Sequence, residues 1–296
     1  MSSAPFFVGI GAQKGGTTWL GKYFTSHPQV GFSPIKELHY FDGKYRRDLS
    51  PRHRLNKDER AFRWHVERLG KMIEKAGELP TPSEFEKIRC RSLRLEMMFD
   101  ENRYVDYFDY LRGDGIATVG EITPAYAMLR ANGFEAIKRL FPDAKVLFSL
   151  RDPMARFWSQ LRMHETRRGK TEFSAEAMLD AAIEDPQYTL RTDYGRTLTE
   201  LYKVFDKEAV SVLFFEHLMN PDSHSDELGR VNDFLGIGHQ PSSLEKRVNA
   251  SKQIAIDPDI QTAIVRKFAP VYETIFESFG DRVPDVWREN YALIDT

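Results

Sequence analysis

The chain has a single cysteine, Cys90, so it can form no intrachain disulfide and has no cysteine cluster for a metal site. No apolar run approaches the roughly 18 residues of a membrane span. Met1-Ser2-Ser3-Ala4-Pro5 has no basic n-region, and the apolar stretch after it is too short for a secretory signal. These absences predict a cytoplasmic protein in a reducing compartment. Charge imbalance is missing too. A formal net charge of −2 gives no overall field to recruit nucleic acid, membrane or polyanion, so any basic surface is local. Internal repeats and Pro/Gly/Ser linkers are also absent. With 41% hydrophobic residues in 296, the reading is one domain, 1–296, with a substantial core.

What is present begins with Gly9-Ile10-Gly11-Ala12-Gln13-Lys14-Gly15-Gly16-Thr17-Thr18-Trp19. The apolar run Phe6–Ile10 reads as a buried strand, and a helix is predicted from Thr18 to about Ser26. A glycine-rich turn between strand and helix gathers backbone N–H groups and the positive end of a helix dipole at one point, which suits a phosphate. The ATPase loop G-x-x-x-x-G-K-[ST] would demand lysine at position 17. Thr17 stands there, and Lys14 precedes Gly16 by two residues. The turn is P-loop-like, with its lysine approaching from another side.

Further strands are predicted at Gln29–Phe32, Ala117–Val119, Val146–Leu150 and Val210–Phe214. Helical stretches fill the intervals, at Gly133–Leu140, Pro153–Arg167, Ala175–Ile183, Asp193–Phe205 and Ser225–Leu235. A last long helix is predicted to start with Asp257 as cap and Pro258 at its first position, with Ile260, Ile264, Phe268, Val271, Ile275 and Phe279 as its core stripe. The alternation predicts a three-layer α/β sandwich around a central parallel sheet. The strand at Val146–Leu150 runs into Arg151-Asp152-Pro153, with Asp152 able to cap the helix that carries Arg156 and Ser159. Arg151 then emerges at the same sheet edge as the glycine turn, where open α/β sheets bind ligands. In Lys36-Glu37-Leu38-His39-Tyr40-Phe41-Asp42, a carboxylate and an imidazole lie two residues apart, and in an extended segment they share one face.

Taken together these segments resemble the sulfotransferases that use 3′-phosphoadenosine 5′-phosphosulfate (PAPS), most closely the heparan sulfate (glucosaminyl) type. Lys14-Gly15-Gly16-Thr17-Thr18 is similar to the 5′-phosphosulfate loop, and Arg151-Asp152-Pro153 with Arg156 and Ser159 to the 3′-phosphate element. Lys36–Asp42 resembles the family's Lys-Glu-x-His-Phe-Phe-Asp, and Glu121-Ile122-Thr123-Pro124-Ala125-Tyr126 its Glu-Lys-[ST]-Pro-Ala-Tyr. Ser251-Lys252 followed by Asp257-Pro258 resembles the last cofactor loop and final helix. The likeness implies cofactor contacts from Lys14, Gly15, Gly16, Thr17, Thr18, Arg151, Ser159 and Lys252, and no required metal. It implies Lys14 against the leaving oxygen and Glu37 as general base, which partial burial beside Tyr40 and Phe41 would help by raising its pKa. His39 is the rival base or the group that orients Glu37. Glu121 is expected to fix loop geometry. Two departures stand out: Ile122 replaces the family's lysine, and Gln253-Ile254 replaces the Gly-Arg after Ser251-Lys252.

The implied activity is in-line sulfuryl transfer from PAPS to a hydroxyl, or secondarily an amine, of a small-molecule, glycan or lipid acceptor. Two other readings stand beside it. One is a P-loop nucleotide kinase, which would need a Mg²⁺ carboxylate from Glu121 or Glu216. The other is a nucleotide-binding domain without transfer. Residues 43–101, longer than the family's usual interval, form a predicted helical insertion near the acceptor mouth, with Phe62, Val66, Leu69 and Ile73 as an amphipathic stripe. Within the insertion, Arg46, Arg47, Arg52 and Arg54 are candidates to meet an acidic acceptor. The acceptor's identity and the oligomeric state have no readable motif.

Overall fold

A computed structural model describes residues 4–46, 59–168, 175–240 and 256–295. Its centre is a five-stranded parallel sheet of β1 (Phe6–Gly11), β2 (Val30–Phe32), β3 (Thr118–Ile122), β4 (Lys145–Leu150) and β5 (Val210–Phe214), in the order β2-β3-β1-β4-β5. The strands are mostly apolar because both faces are covered. Along β1, Phe6, Val8 and Ile10 enter one core while Phe7 enters the other. β4 alternates the same way, with Val146, Phe148 and Leu150 opposite Leu147. Helices complete the outer layers, so the expected three-layer sandwich is the fold.

The helices are α1 (Thr17–Ser26), α2 (Tyr40–Tyr45), α3 (Glu59–Ala76), α4 (Pro82–Glu96), α5 (Asn102–Leu111), α6 (Ala131–Leu140) and α7 (Pro153–Arg168). They continue with α8 (Ala175–Glu184), α9 (Pro186–Thr189), α10 (Tyr194–Tyr202), α11 (Phe215–Met219), α12 (His224–Leu235), α13 (Pro258–Phe279) and α14 (Asp285–Tyr291). Caps set several starts. Asp193 accepts from Arg196 N–H (3.0 Å), and Asp257 accepts from Asp259 N–H (2.9 Å) ahead of Pro258. The predicted α13 stripe is core at Ile264, Phe268, Val271 and Ile275, with Ile260 and Phe279 packed at its margin.

The reading of Lys36–Asp42 needs correction, and the α3 stripe and Ile122 find their places. The Lys36–Asp42 segment is not extended, because Glu37 and His39 both adopt left-handed backbone (φ 56° and 53°) and α2 starts at Tyr40. On α3 the amphipathic stripe lies outward at Phe62, Val66 and Ile73, which are exposed, while His65 on the neighbouring face is buried. Ile122, where the resembling family carries a lysine, is a core residue, and a Cβ on Gly9 would stand 2.5 Å from its Cγ1.

The sheet order fixes where a ligand belongs. From β1 the chain moves outward to β2, and from β4 it moves the opposite way to β5. The crevice between the C-terminal ends of β1 and β4 is therefore the topological switch point. The loops after these two strands touch: Ala12 N–H donates to the Ser149 carbonyl (2.6 Å), and Ser149 Oγ donates to the Gly15 carbonyl (2.6 Å).

Candidate active site

Residues 12–16 turn the chain from β1 into α1. Gly15 N–H closes a turn onto the Ala12 carbonyl (3.0 Å), and Gly16 adopts φ 80° as the N-cap of α1. Side chains fit poorly here. A Cβ on Gly15 would lie 2.6 Å from the Ser149 carbonyl oxygen, and one on Gly16 would lie 2.9 Å from the Phe215 ring. A glycine cap has no side chain to offer, so the helix start lacks a side-chain capping bond. The first intrahelical bonds come from Trp19 and Leu20 to the Gly16 carbonyl, leaving the Thr17 and Thr18 N–H groups ahead of them as helix-end donors. Lys14 stands in the middle of this turn with φ 73°.

Arg151 leaves the end of β4 and donates from Nη1 to the Lys14 carbonyl (3.1 Å), with its guanidinium 4.7 Å from the centre of the Phe215 ring. Among the described residues its Nε is buried without a partner. Asp152 caps α7 by accepting from Ala155 N–H (2.8 Å) and also accepts from Tyr272 OH (2.7 Å). Burial and the charge of Glu216 push its carboxyl up to about 7. Arg156 is wholly buried. It donates to Gln160 Oε1 (2.8 Å) and the Tyr188 carbonyl (3.2 Å), while its Nε has no partner among the described residues. Burial pushes it down to about 9, with Arg191 and Arg151 adding repulsion. Ser159 lies half-buried two turns into α7.

Beside this glycine turn stands the second group of residues. His39 Nε2 faces Glu37 (3.3 Å) and its Nδ1 faces the buried Asp42 (2.8 Å). Burial opposes a charge on this ring, but the bonds to Asp42 and Glu37 outweigh it and lift His39 to about 9. Glu37 moves the other way. Burial would raise its carboxyl, yet the bond and charge of His39, with Lys36 and Arg191, hold it below the ordinary value. The sequence expectation of a raised Glu37 pKa is thus reversed, because an imidazolium rather than only aromatic rings stands against it. The two side chains do meet, through paired left-handed residues rather than one face of a strand. Lys36 links the two groups, with its Nζ 3.2 Å from Thr18 Oγ1 and 3.7 Å from Glu37 Oε1.

Glu121, at the end of β3, is fully buried and accepts from Tyr104 OH (2.5 Å), Thr123 Oγ1 (2.6 Å), Tyr126 OH (2.9 Å) and Leu38 N–H (3.3 Å). It fixes the loop, as expected. Glu216 accepts from Asp152 N–H (2.9 Å) and Trp287 Nε1–H (3.0 Å). Both carboxylates are committed to structure. Lys252, with Ser251, Gln253 and Ile254, lies outside the described residues, as do Arg47, Arg52 and Arg54; Arg46 is buried.

Sequence reading assigned no role to Asp42, Lys36 or Arg191. Asp42 carried a signal, an acid three residues beyond His39 at a helix start. Arg191 carried none; it follows α9 and its charge reaches Glu37 and Asp42. Among the described residues no helix is long and apolar enough to cross a membrane, and no group of three His, Cys, Asp or Glu is placed to hold a metal.

Comparison with known proteins bears on the family and the fold. "Carbohydrate sulfotransferase 15" of Mus musculus is 29% identical over 262 residues, covering 79% of this chain but 44% of that protein, so the chain spans less than half of its relative's length. Two solved structures share the fold. The sulfotransferase from Alicyclobacillus acidocaldarius has a TM-score of 0.64 at 23% identity, over 96% of this chain and 98% of that one. The sulfotransferase domain of the Synechococcus PCC 7002 olefin synthase has a TM-score of 0.51 at 16% identity, over 86% and 85%. The profile of the Sulfotransferase family matches residues 5–241, four-fifths of the chain, and the chain belongs to that family.

Proposed function

We propose that the protein moves a sulfuryl group from PAPS to an acceptor hydroxyl, a glycan hydroxyl first among the candidates, with other small-molecule or lipid alcohols and amines behind it. One observation carries the reading. A glycine-capped helix start, Lys14 and Arg151 converge at the sheet edge where the Glu37–His39–Asp42 set also lies. The residues fit the donor: the turn presents uncapped helix-end N–H groups, and Arg151 has a buried donor without a partner among the described residues. The glycan preference rests on the name of the mouse relative.

In this reading Gly15, Gly16, Thr17 and Thr18 hold the 5′-phosphate, while Arg151 and Ser159 hold the 3′-phosphate that distinguishes PAPS from ATP. Bound there, PAPS supplies a sulfuryl group on a phosphate leaving group. Lys14 and the α1 N-terminus stabilise the charge that grows on that phosphate. Glu37 accepts the acceptor's proton. A carboxyl held below its usual range is a weak base, so the proton moves late, when the forming S–O bond has made it acidic. His39, cationic between two carboxylates, orients Glu37 and is not the base in the resting state. The kinase reading loses support because Glu121 and Glu216, its candidate metal ligands, are fully engaged with protein donors.

The first test is calorimetric titration with 3′-phosphoadenosine 5′-phosphate (PAP) against ADP with and without Mg²⁺. Metal-independent PAP binding that weakens about 100-fold in Arg151→Ala is expected, the loss of a charge-assisted phosphate contact. Preferential, Mg²⁺-strengthened ADP binding would favour the kinase. PAP binding without turnover of labelled PAPS across glycan, phenol, lipid and amine acceptors would favour the domain that only binds nucleotide.

A further inference from the structure

Leu38 separates Glu37 from His39, and both of its neighbours occupy the left-handed region (φ 56° and 53°). For residues with a Cβ this costs about 1–2 kcal/mol each, so surrounding contacts must hold the backbone there. The grip falls on Leu38 itself. Its side chain is fully buried, and its N–H donates to Glu121 Oε2 (3.3 Å). Its carbonyl receives two donors from one guanidinium, Arg94 Nε (3.1 Å) and Arg94 Nη2. The third guanidinium nitrogen, Nη1, meets the ring of His65 (2.7 Å to Nε2).

Arg94 belongs to α4 and His65 to α3, the two helices of the 43–101 insertion, and both side chains are nearly inaccessible at 5% and 3% exposure. A buried guanidinium is costly unless its donors are satisfied. This one is satisfied by a backbone carbonyl and an imidazole rather than by a carboxylate. Burial and the Arg94 charge push His65 down to about 3, so it stays neutral and able to accept. An arginine fork can hold one carbonyl with two donors in fixed directions, which a lysine ammonium cannot reproduce. Arg94 therefore sets the rotation of the Leu38 peptide, and that rotation decides whether the side chains on either side of it converge.

We propose that Arg94, supplied by the helical insertion, is a positioning residue for sulfuryl transfer, which by clamping the Leu38 carbonyl opposite Glu121 holds Glu37 and His39 in their converging left-handed geometry. The proposal rests on the reading of Glu37 as the proton acceptor. It gives the insertion a task behind the site, whatever its outer surface meets. Loss of the clamp lets the segment relax toward extended backbone, and a displacement of about 1 Å at a reacting group costs about 10²-fold in rate.

The test needs no acceptor. The midpoint of the His39 imidazole titration, followed by proton NMR of its ring C–H signals, reports whether His39 still sits between Glu37 and Asp42. It is expected to fall from about 9 toward the ordinary 6.5 in Arg94→Lys and Arg94→Ala. Free guanidinium should restore it in part in Arg94→Ala. The sign is discriminating. Removing a nearby positive charge without moving the backbone would raise the His39 midpoint, whereas losing the geometry lowers it. A folded variant whose midpoint stays or rises overturns the proposal. Arg94→Lys keeps charge and most of the volume, so it carries the test if Arg94→Ala does not fold. PAP affinity, measured alongside, is expected to stay within about twofold, as for sites without shared partners. A wild-type protein that fails to bind PAP would overturn the sulfotransferase reading, while the titration would still decide whether Arg94 positions the pair.

Discussion

His39 is an imidazole with a carboxylate at each nitrogen, and this arrangement makes its charge a reporter of the whole site. Replacing Glu37 by Gln removes one of the two acceptors. The His39 midpoint should then drop below its value of about 9 in a ring proton NMR titration. Transfer should fall by about 10²–10⁴-fold, the usual contribution of a positioned base, with PAP affinity kept. Lys14→Ala should weaken PAP binding, since PAP carries the leaving phosphate's charge in full, and slow transfer by about 10²–10³-fold, the loss seen when one donor to a developing charge is removed. The pair sets a pH profile as well. Glu37 is already ionised below neutrality, and His39 remains cationic until the pH nears 9. Acceptor turnover should accordingly hold steady through neutrality and fall as His39 loses its proton. A profile that rises through that range would assign the base role to His39 instead.

At the scale of elements, the turn after β1 is built against the end of β4, and its glycines face backbone and ring rather than open space. Gly15→Ala would drive a Cβ to 2.6 Å from the Ser149 carbonyl oxygen. The expected outcome is a loss of about 1–3 kcal/mol in urea unfolding, an overpacking cost, together with weakened PAP binding. Ser149→Ala removes only the bond from Oγ to the Gly15 carbonyl and should cost about 1 kcal/mol. These elements were legible in the sequence because their signals are local. Phe6–Ile10 and Val146–Leu150 are apolar runs of strand length, Gly15-Gly16 marks a turn, and Asp257-Pro258 marks a helix start. Arg151 was placed correctly because a strand end fixes where its next residue goes. The illegible parts depend on distant partners. Nothing local announces left-handed backbone at Glu37 and His39, since neither is glycine, and the arginine that grips the peptide between them lies 56 residues away. The facing of the α3 stripe stayed open for a related reason. Helical spacing reveals an apolar face but not whether the protein covers it, and here Phe62, Val66 and Ile73 stay outside while His65 goes in.

For the molecule as a whole, two buried titrations tilt stability the same way. His39 is raised from 6.5 to about 9 in the folded state, so its contribution is complete below 6.5 and is lost as pH rises through 9. Asp152 is raised from 3.8 to about 7, so its penalty accumulates as pH rises from 3.8 and is complete once pH passes 7. Glu37, held below its ordinary value, acts oppositely and only toward acid. Urea unfolding should therefore show maximal stability on the mildly acidic side of neutrality and a decline of a few kcal/mol by about pH 9.5, since each tenfold difference in proton affinity between the folded and unfolded chain is worth about 1.4 kcal/mol. A protein more stable at pH 9.5 than at pH 6 would contradict these assignments. The same interior also holds Arg151, Arg156 and Arg191 within electrostatic reach of one another, and the bonds of Arg151 and Arg156 go to carbonyls and an amide rather than to carboxylates. Glu216 and Asp152 balance Arg151 in part, and Asp42 and Glu37 balance Arg191, while the buried Arg156 is held chiefly by neutral acceptors. In the proposed function the phosphates of PAPS would add counter-charge at this neighbourhood, so the ligand would contribute to the cohesion of the fold as well as to the chemistry.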